Sequence, residues 1–227
     1  MGIITLGCGA ARMANLCVCN RSATSTHGYT TARMDINSQT AFVALGSNLA
    51  VGRLTPAGML KSALKLLREY HESPFEVSDF VSSPAFPPNS GPDFVNAVAS
   101  LRTDWPADRL LDLLHQVEAE LGRTRAARWA PRVVDLDLLA VGKLVMPDPA
   151  TQDRWRALSL GQQRAEAPDR LILPHPRLQD RAFVLVPWAQ IAPDWRHPRT
   201  GITVAQMRDA LPATDRDAVL PFDGGGI

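Results

Sequence analysis

From residue 40 onward, short apolar strands alternate with two amphipathic helical stripes, in an order that few architectures accept. Residues 41–45 form an apolar run closed by the turn residues Gly46, Ser47 and Asn48. Thr55-Pro56 reads as a helix cap followed by proline at the first helical position, and Leu60, Ala63, Leu64 and Leu67 follow at helical spacing. Residues 76–81 make a second strand, and four prolines (Pro84, Pro87, Pro88, Pro92) stiffen the loop over 82–93. Residues 94–101 alternate as a third strand. Pro106 opens a second helix, striped by Leu110, Leu113, Leu114, Val117 and Leu121, with Gly122 where a C-terminal cap belongs. A basic loop then leads into a strongly apolar fourth strand over 132–141. This order is the split βαβ arrangement, and it predicts an α+β, ferredoxin-like βαββαβ sandwich. Additional C-terminal helices are predicted over 183–191, with a proline inside, and over 202–211. The polar stretch 142–169 reads as an insertion with a short helix over 151–160.

The first 39 residues differ from this body. They carry three arginines, no acid before Asp35, a Ser/Thr-rich run and all three cysteines. They read as a poorly structured N-terminal extension, with Met34 an alternative start, in preference to an organelle transit peptide. Residues 40–227 are expected to form a single domain. Subtracting the extension leaves 21 basic and 22 acidic side chains there, a balance that argues against a dedicated nucleic-acid binder. No apolar run approaches the roughly 18 residues a spanning helix needs. A body without cysteine has no thiol chemistry.

The residues that point to chemistry lie on the fourth strand. Asp135 and Asp137 are two apart, so they share one face while Leu136 and Leu138 take the other. Two carboxylates with Cα atoms roughly 6.5–7 Å apart repel each other and resist desolvation. A bound cation relieves both, and hard oxygen ligands with room for water and phosphate suit Mg²⁺. A strand end whose acids simply face solvent is the competing reading. Arg123, Arg125, Arg128 and Arg132 crowd the loop just before this pair, as a polyphosphate held by metal and guanidinium forks would require. Trp129 among them is either core or a cover for a planar ligand. Phe94 and Asn96 share a strand face, an aromatic surface beside an amide that suits a flat heterocycle, although ordinary core packing explains a Phe equally well. His175 is held rigidly between Pro174 and Pro176.

These segments together resemble a known family. The matching stretches are Leu45-Gly46-Ser47-Asn48-Leu49, residues 91–98, Leu121-Gly122-Arg123-Thr124-Arg125, residues 128–139, Leu173-Pro174-His175-Pro176-Arg177 and residues 181–185. They are similar to 6-hydroxymethyl-7,8-dihydropterin pyrophosphokinases of folate biosynthesis. The resemblance implies transfer of pyrophosphate from ATP to the pterin hydroxymethyl group, with release of AMP. It implies two Mg²⁺ ions on Asp135 and Asp137, and phosphate contacts from Arg123 and Arg132. Ser83, Pro84, Phe86, Phe94, Asn96 and Phe183 would bind the pterin. Glu118, Arg125, Trp129, Leu138, Arg170, His175 and Arg181 would lie at the ATP site. It further implies a cytoplasmic enzyme, monomeric or weakly oligomeric, that engages small molecules and neither nucleic acid nor membrane. The stretch 142–169 is longer than the family pattern calls for, and residues 1–39 have no counterpart in it. Two alternatives stay open on the residues alone: an RNA-binding module with exposed sheet aromatics, and another magnesium-dependent nucleotidyl or glycosyl transferase.

Overall fold

A computed structural model of the chain describes residues 38–85, 91–122, 133–159, 161–162, 166 and 168–224. The expectation for residues 1–37 lies outside the described residues. The strands β1 (Gln39–Ser47), β2 (Phe75–Val77), β3 (Val81–Ser83), β4 (Phe94–Thr103) and β5 (Asp135–Val141) are joined by a last short strand, β6 (Leu220–Pro221). They form one antiparallel sheet in the order β5-β1-β4-β3-β6, with β2 also paired to β4. Helices α1 (Pro56–Tyr70) and α2 (Ala107–Glu120) complete the βαββαβ core. After β5 come α3 (Pro149–Ala157), a single 3₁₀ turn (Leu178–Asp180), α4 (Ala182–Ile191), α5 (Val204–Ala210) and α6 (Ala213–Asp217).

Local sequence explains most boundaries. Thr55 caps α1 by accepting from the Gly58 N–H at 3.2 Å, ahead of Pro56. Gly122 closes the end of α2 with φ +86°, which a residue with a side chain rarely adopts. The second strand of the expected pattern is in fact two strands. The Ser78 hydroxyl accepts from the Val98 N–H at 3.0 Å while the Ser78 N–H donates to the Val98 carbonyl, so the chain leaves the ladder there. It re-enters one register later, since Val77 faces Ala99 but Val81 faces Asn96. The helix expected over 151–160 starts and ends earlier, because Asp148 caps it through the Thr151 N–H and Pro149 follows.

The sheet is buried on both faces. Alternate residues Ala41, Val43 and Leu45 of β1, with Val95, Ala97 and Leu101 of β4 and Leu136 and Leu138 of β5, pack against the stripes of α1 and α2. On the opposite face Phe42, Ala44, Val98, Leu139 and Ala140 pack against Val184, Leu185 and Trp188 of α4 and Val204 and Met207 of α5. A bulge explains how adjacent Leu139 and Ala140 reach the same side. Val43 faces Leu138 but Phe42 faces Ala140, leaving Leu139 as the extra residue. Trp188 is 0% exposed, and its ring centroid lies 5.1 Å from Phe42 and 4.8 Å from Trp195. Trp188→Ala is expected to lower the free energy of unfolding by about 3–5 kcal/mol, measured as a shifted urea midpoint. A loss below about 1 kcal/mol would mean that this second core is loosely packed.

Candidate active site

Among the described residues, the second face packs against α4 and α5 at the end that holds Phe42 and Leu139, and toward the other end Asp135, Asp137, Gly46 and Phe94 become half-exposed. Pairing of β1 with both neighbours defines the rows at that end. Asp135 stands across from Gly46, which stands across from Asn96, and Asp137, Ala44 and Val98 form the next row. Phe94 begins β4 on the same face. The two carboxylates therefore lie about 10 Å of sheet width from Asn96, separated by residues with almost no side chain. A Cβ at Gly46 would lie 3.3 Å from Asn96 Oδ1, close enough to push that amide by a few tenths of an ångström, and 3.9 Å from the Phe94 ring.

Asp135 and Asp137 are both half-buried, while Leu136 and Leu138 between and beyond them are buried in the other core. The alternation expected of this strand is present. Arg181, at the N-terminal boundary of α4, donates from Nη1 to Asp137 Oδ2 at 2.8 Å. That pair does not seal the site, because the Arg181 and Asp137 side chains keep 21% and 33% of their surface exposed. Among the described residues no group of three or more His, Cys, Asp or Glu side chains gathers as a metal cage. The pair thus offers hard oxygen donors on one side and leaves the other side of an ion to water or a phosphate ligand. These features fit Mg²⁺.

Glu118, 3% exposed on α2, reaches under β5 and accepts from the Leu136 N–H at 2.8 Å. It acts on the strand that carries the aspartates. Leu138 directs its side chain into the α1–α2 core, away from the aspartates, so only its backbone is available to a nucleotide. His175 is anchored through its own N–H to the Leu139 carbonyl at 2.8 Å. Its Nδ1 accepts from the Arg177 N–H at 3.1 Å, which leaves the ring proton on Nε2. Desolvation, reinforced by nearby Arg181, lowers its pKa to about 4, so the ring is neutral at pH 7. Arg170 is exposed and forms a two-pronged pair with Asp169 at 3.2 and 3.3 Å.

On the Asn96 side, Nδ2 of that residue donates to Ser83 Oγ at 2.9 Å, and both side chains are buried. Pro84 is exposed. Phe183, in the first turn of α4, is 37% exposed, with the Arg181 guanidinium 5.7 Å from its ring centroid. Phe86, Arg123, Arg125, Trp129 and Arg132 lie outside the described residues.

Two residues read from sequence only as a turn do more than turn the chain. Ser47 donates to the Val133 carbonyl at 2.5 Å, just where the basic loop rejoins β5. Asn48 donates to the Pro92 carbonyl at 3.3 Å at the start of the third expected strand. Both are buried. Two polar residues at the end of an apolar, largely buried strand are the signal that identifies them as anchors.

The chain from 42 to 193 matches the family model of 7,8-dihydro-6-hydroxymethylpterin-pyrophosphokinase (HPPK). The chain belongs to this family. The HPPK enzyme of Haemophilus influenzae, named as a 2-amino-4-hydroxy-6-hydroxymethyldihydropteridine pyrophosphokinase, is 35% identical over 164 residues, covering 72% of this chain and 88% of the relative. The Pseudomonas aeruginosa protein of the same name is 38% identical over 161 residues, covering 70% and 85%. In three dimensions the chain is similar to the HPPK-DHPS protein of Plasmodium falciparum, with a TM-score of 0.53 and 13% identity. That likeness covers 76% of this chain and 44% of the other, and it bears on the fold alone. HPPK membership removes the RNA-binding and glycosyl-transferase alternatives. No helix among the described residues of this HPPK chain is long and apolar enough to cross a membrane.

A pH dependence of stability follows from two desolvated histidines, the half-buried His175 and the buried His197. His197, 1% exposed, has its pKa lowered to about 4 by desolvation and then by Arg156, much as His175 does. Below pH 6.5 the unfolded chain binds protons at these rings that the folded chain does not, so stability falls as pH drops from about 6.5 to 4. The melting temperature should drop by roughly 5–10 °C between pH 7 and pH 4.5, and His197→Asn should flatten part of that slope. A profile flat down to pH 4.5 would show that these histidines are not held neutral.

Proposed function

We propose that this chain carries out the reaction of its family, moving pyrophosphate from ATP to 6-hydroxymethyl-7,8-dihydropterin in folate biosynthesis. The observation that carries the proposal is the single sheet face on which two half-exposed carboxylates and an aromatic–amide pair flank a glycine. The pterin hydroxyl oxygen attacks the β-phosphorus, the bond from that phosphorus to the α–β bridging oxygen breaks, and AMP leaves with the electron pair. The hydroxyl proton is released to solvent. Such a displacement depends mainly on alignment and on charge neutralisation.

Each group of residues has a part in that alignment. Phe94 and the exposed Phe183 offer aromatic faces for the pterin ring. Asn96, fixed by Ser83, presents its remaining amide atom to the ring edge, and Pro84 and Phe86 are assigned to the same substrate by the family motif. Asp135 and Asp137 would hold two Mg²⁺ ions, which when bound neutralise triphosphate oxygens. Arg181 and Arg170 bind the nucleotide phosphates by charge, and neutral His175 donates from Nε2. Arg123 and Arg132 hold the transferred phosphates, while Arg125 and Trp129 close over the nucleotide. Glu118 keeps β5 in register, and Leu138 meets ATP through its backbone. The enzyme works in the cytoplasm as a monomer or weak oligomer.

Purified chain supplied with Mg²⁺, ATP and the hydroxymethyl pterin should produce AMP, and ADP as the product would mean an ordinary kinase. Asp137→Ala should reduce AMP formation by at least about 10³-fold with an unchanged circular dichroism spectrum; retained turnover at saturating Mg²⁺ would contradict the metal assignment. Gly46→Ala should raise the pterin KM by roughly 10-fold and leave the ATP KM near its starting value. A change in the ATP KM alone would place the glycine at the wrong substrate.

A further inference from the structure

The stretch after Gly142 reads from the sequence as an insertion, and its described part is tied to the rest of the fold at several points. The Gly142 N–H donates to the Thr40 carbonyl at 2.8 Å, and the Gly142 carbonyl accepts from Trp195 Nε1 at 3.1 Å. Met146 exchanges both backbone hydrogen bonds with Leu173, at 2.8 and 3.1 Å. Within α3, Asp153 receives a two-pronged Arg199 pair at 2.6 and 3.2 Å, and Arg156 at 3.1 Å. Trp155 is buried beneath. These contacts describe a docked element, not a lid.

Its most buried residue points at the His175 loop. Gln152 is 0% exposed, and its Nε2 donates to the Pro174 carbonyl at 3.2 Å. The run Pro174-His175-Pro176 has one backbone N–H, that of His175, which is taken by Leu139. The His175 carbonyl accepts from the Leu178 N–H at 3.1 Å, and the 174–175 peptide plane is held on its N–H edge by Leu139. The acceptor on the other edge of that plane is the Pro174 carbonyl, and Gln152 supplies its donor. Packing alone does not explain a glutamine here, because its Oε1 is buried with no hydrogen-bond partner among the described residues. An apolar side chain would fill the space without leaving a buried oxygen unpaired. What glutamine adds is the donor.

We propose that the inserted segment 142–159 is a brace for the nucleotide site, and that Gln152 is the positioning residue through which it orients His175. The proposal rests on the reading that His175 faces ATP. Gln152→Met keeps the length of the side chain and removes the donor, and it is tested in the full chain. The expected result is a weakening of about 5–10-fold in the ATP KM and in the dissociation constant of a non-hydrolysable ATP analogue. The pterin KM should stay within about twofold. Arg154→Ala, on the exposed side of α3, should change neither. Equal weakening toward both substrates, or a lower melting temperature with unchanged analogue affinity, would reduce Gln152 to a structural part and overturn the brace. If Gln152→Met does not fold, Asp153→Asn decides, because it cuts the partly exposed tether to Arg199. A selective loss of analogue affinity supports the brace, and unchanged affinity overturns it. Failure of the unaltered chain to form AMP would defeat the functional reading instead, so the two failures are distinguishable.

Discussion

The site depends on a vacancy of side chains in the middle of a sheet. β1 pairs on both edges, and its residues in the rows that hold the aspartates are Gly46 and Ala44, the latter at the rim of the second core. Because neighbouring strands lie about 4.8 Å apart, a strand of small residues between β4 and β5 creates a trough one strand wide. Its walls are Asn96 and Phe94 on one side and the two aspartates on the other. Larger side chains at 44 and 46 would fill the trough and bring the walls into contact through packing. The face would then be as closed as its far end, where Phe42 meets Trp188. On its other face the same strand places Ala41, Val43 and Leu45 in the α1–α2 core, so the rows at the site end need little packing of their own.

Much of this was legible from periodicity. A strand repeat of two places Asp135 and Asp137 together whatever else the chain does, and helical stripes place α1 and α2 on one side. What periodicity does not reveal is where a ladder breaks. Ser78 ends β2 by offering a hydroxyl in place of a carbonyl, and nothing in the alternation around it marks that exchange. The bulge at Leu139 is equally silent, since Leu-Leu-Ala-Val is apolar on every register. Yet the bulge matters: the Leu139 carbonyl accepts from the His175 N–H. β6 was not foreseen either, as Leu220-Pro221 carries no strand pattern and is a two-residue edge strand paired with the short strand β3. Gln152, in a polar stretch, looks like any surface glutamine until tertiary structure buries it.

Charge is arranged around the trough by a different logic on each side. The Asn96 side is neutral and buried, and its one polar bond, to Ser83, fixes which way the amide faces. The aspartate side is half-exposed and charged. There Arg181 offsets part of the carboxylate repulsion while remaining accessible, a compromise that full burial would make costly to undo. Glu118 shows the contrast: it is buried, it bonds a backbone N–H, and its task is to hold β5.

The boundary between covered core and open site falls at the start of α4, and that position is itself chemically constrained. Arg181 and Phe183 flank Ala182, so the first turn of the helix points one residue toward Asp137 and another toward solvent above the trough. Extending α4 by one turn toward its N-terminus would lay backbone over the aspartates. Shortening it would remove Val184 and Leu185 from the second core and detach Arg181 from its anchor. The 3₁₀ turn at Leu178–Asp180 prevents both, because buried Leu178 pins the approach to the helix in the same core. The chain running from Pro174 to Phe183 is therefore held at its start by Leu139 and Gln152, in its middle by Leu178 and near its end by the Arg181–Asp137 pair. His175 and Arg181 are delivered to the aspartates as a unit, and a shift at any of these anchors would displace both together.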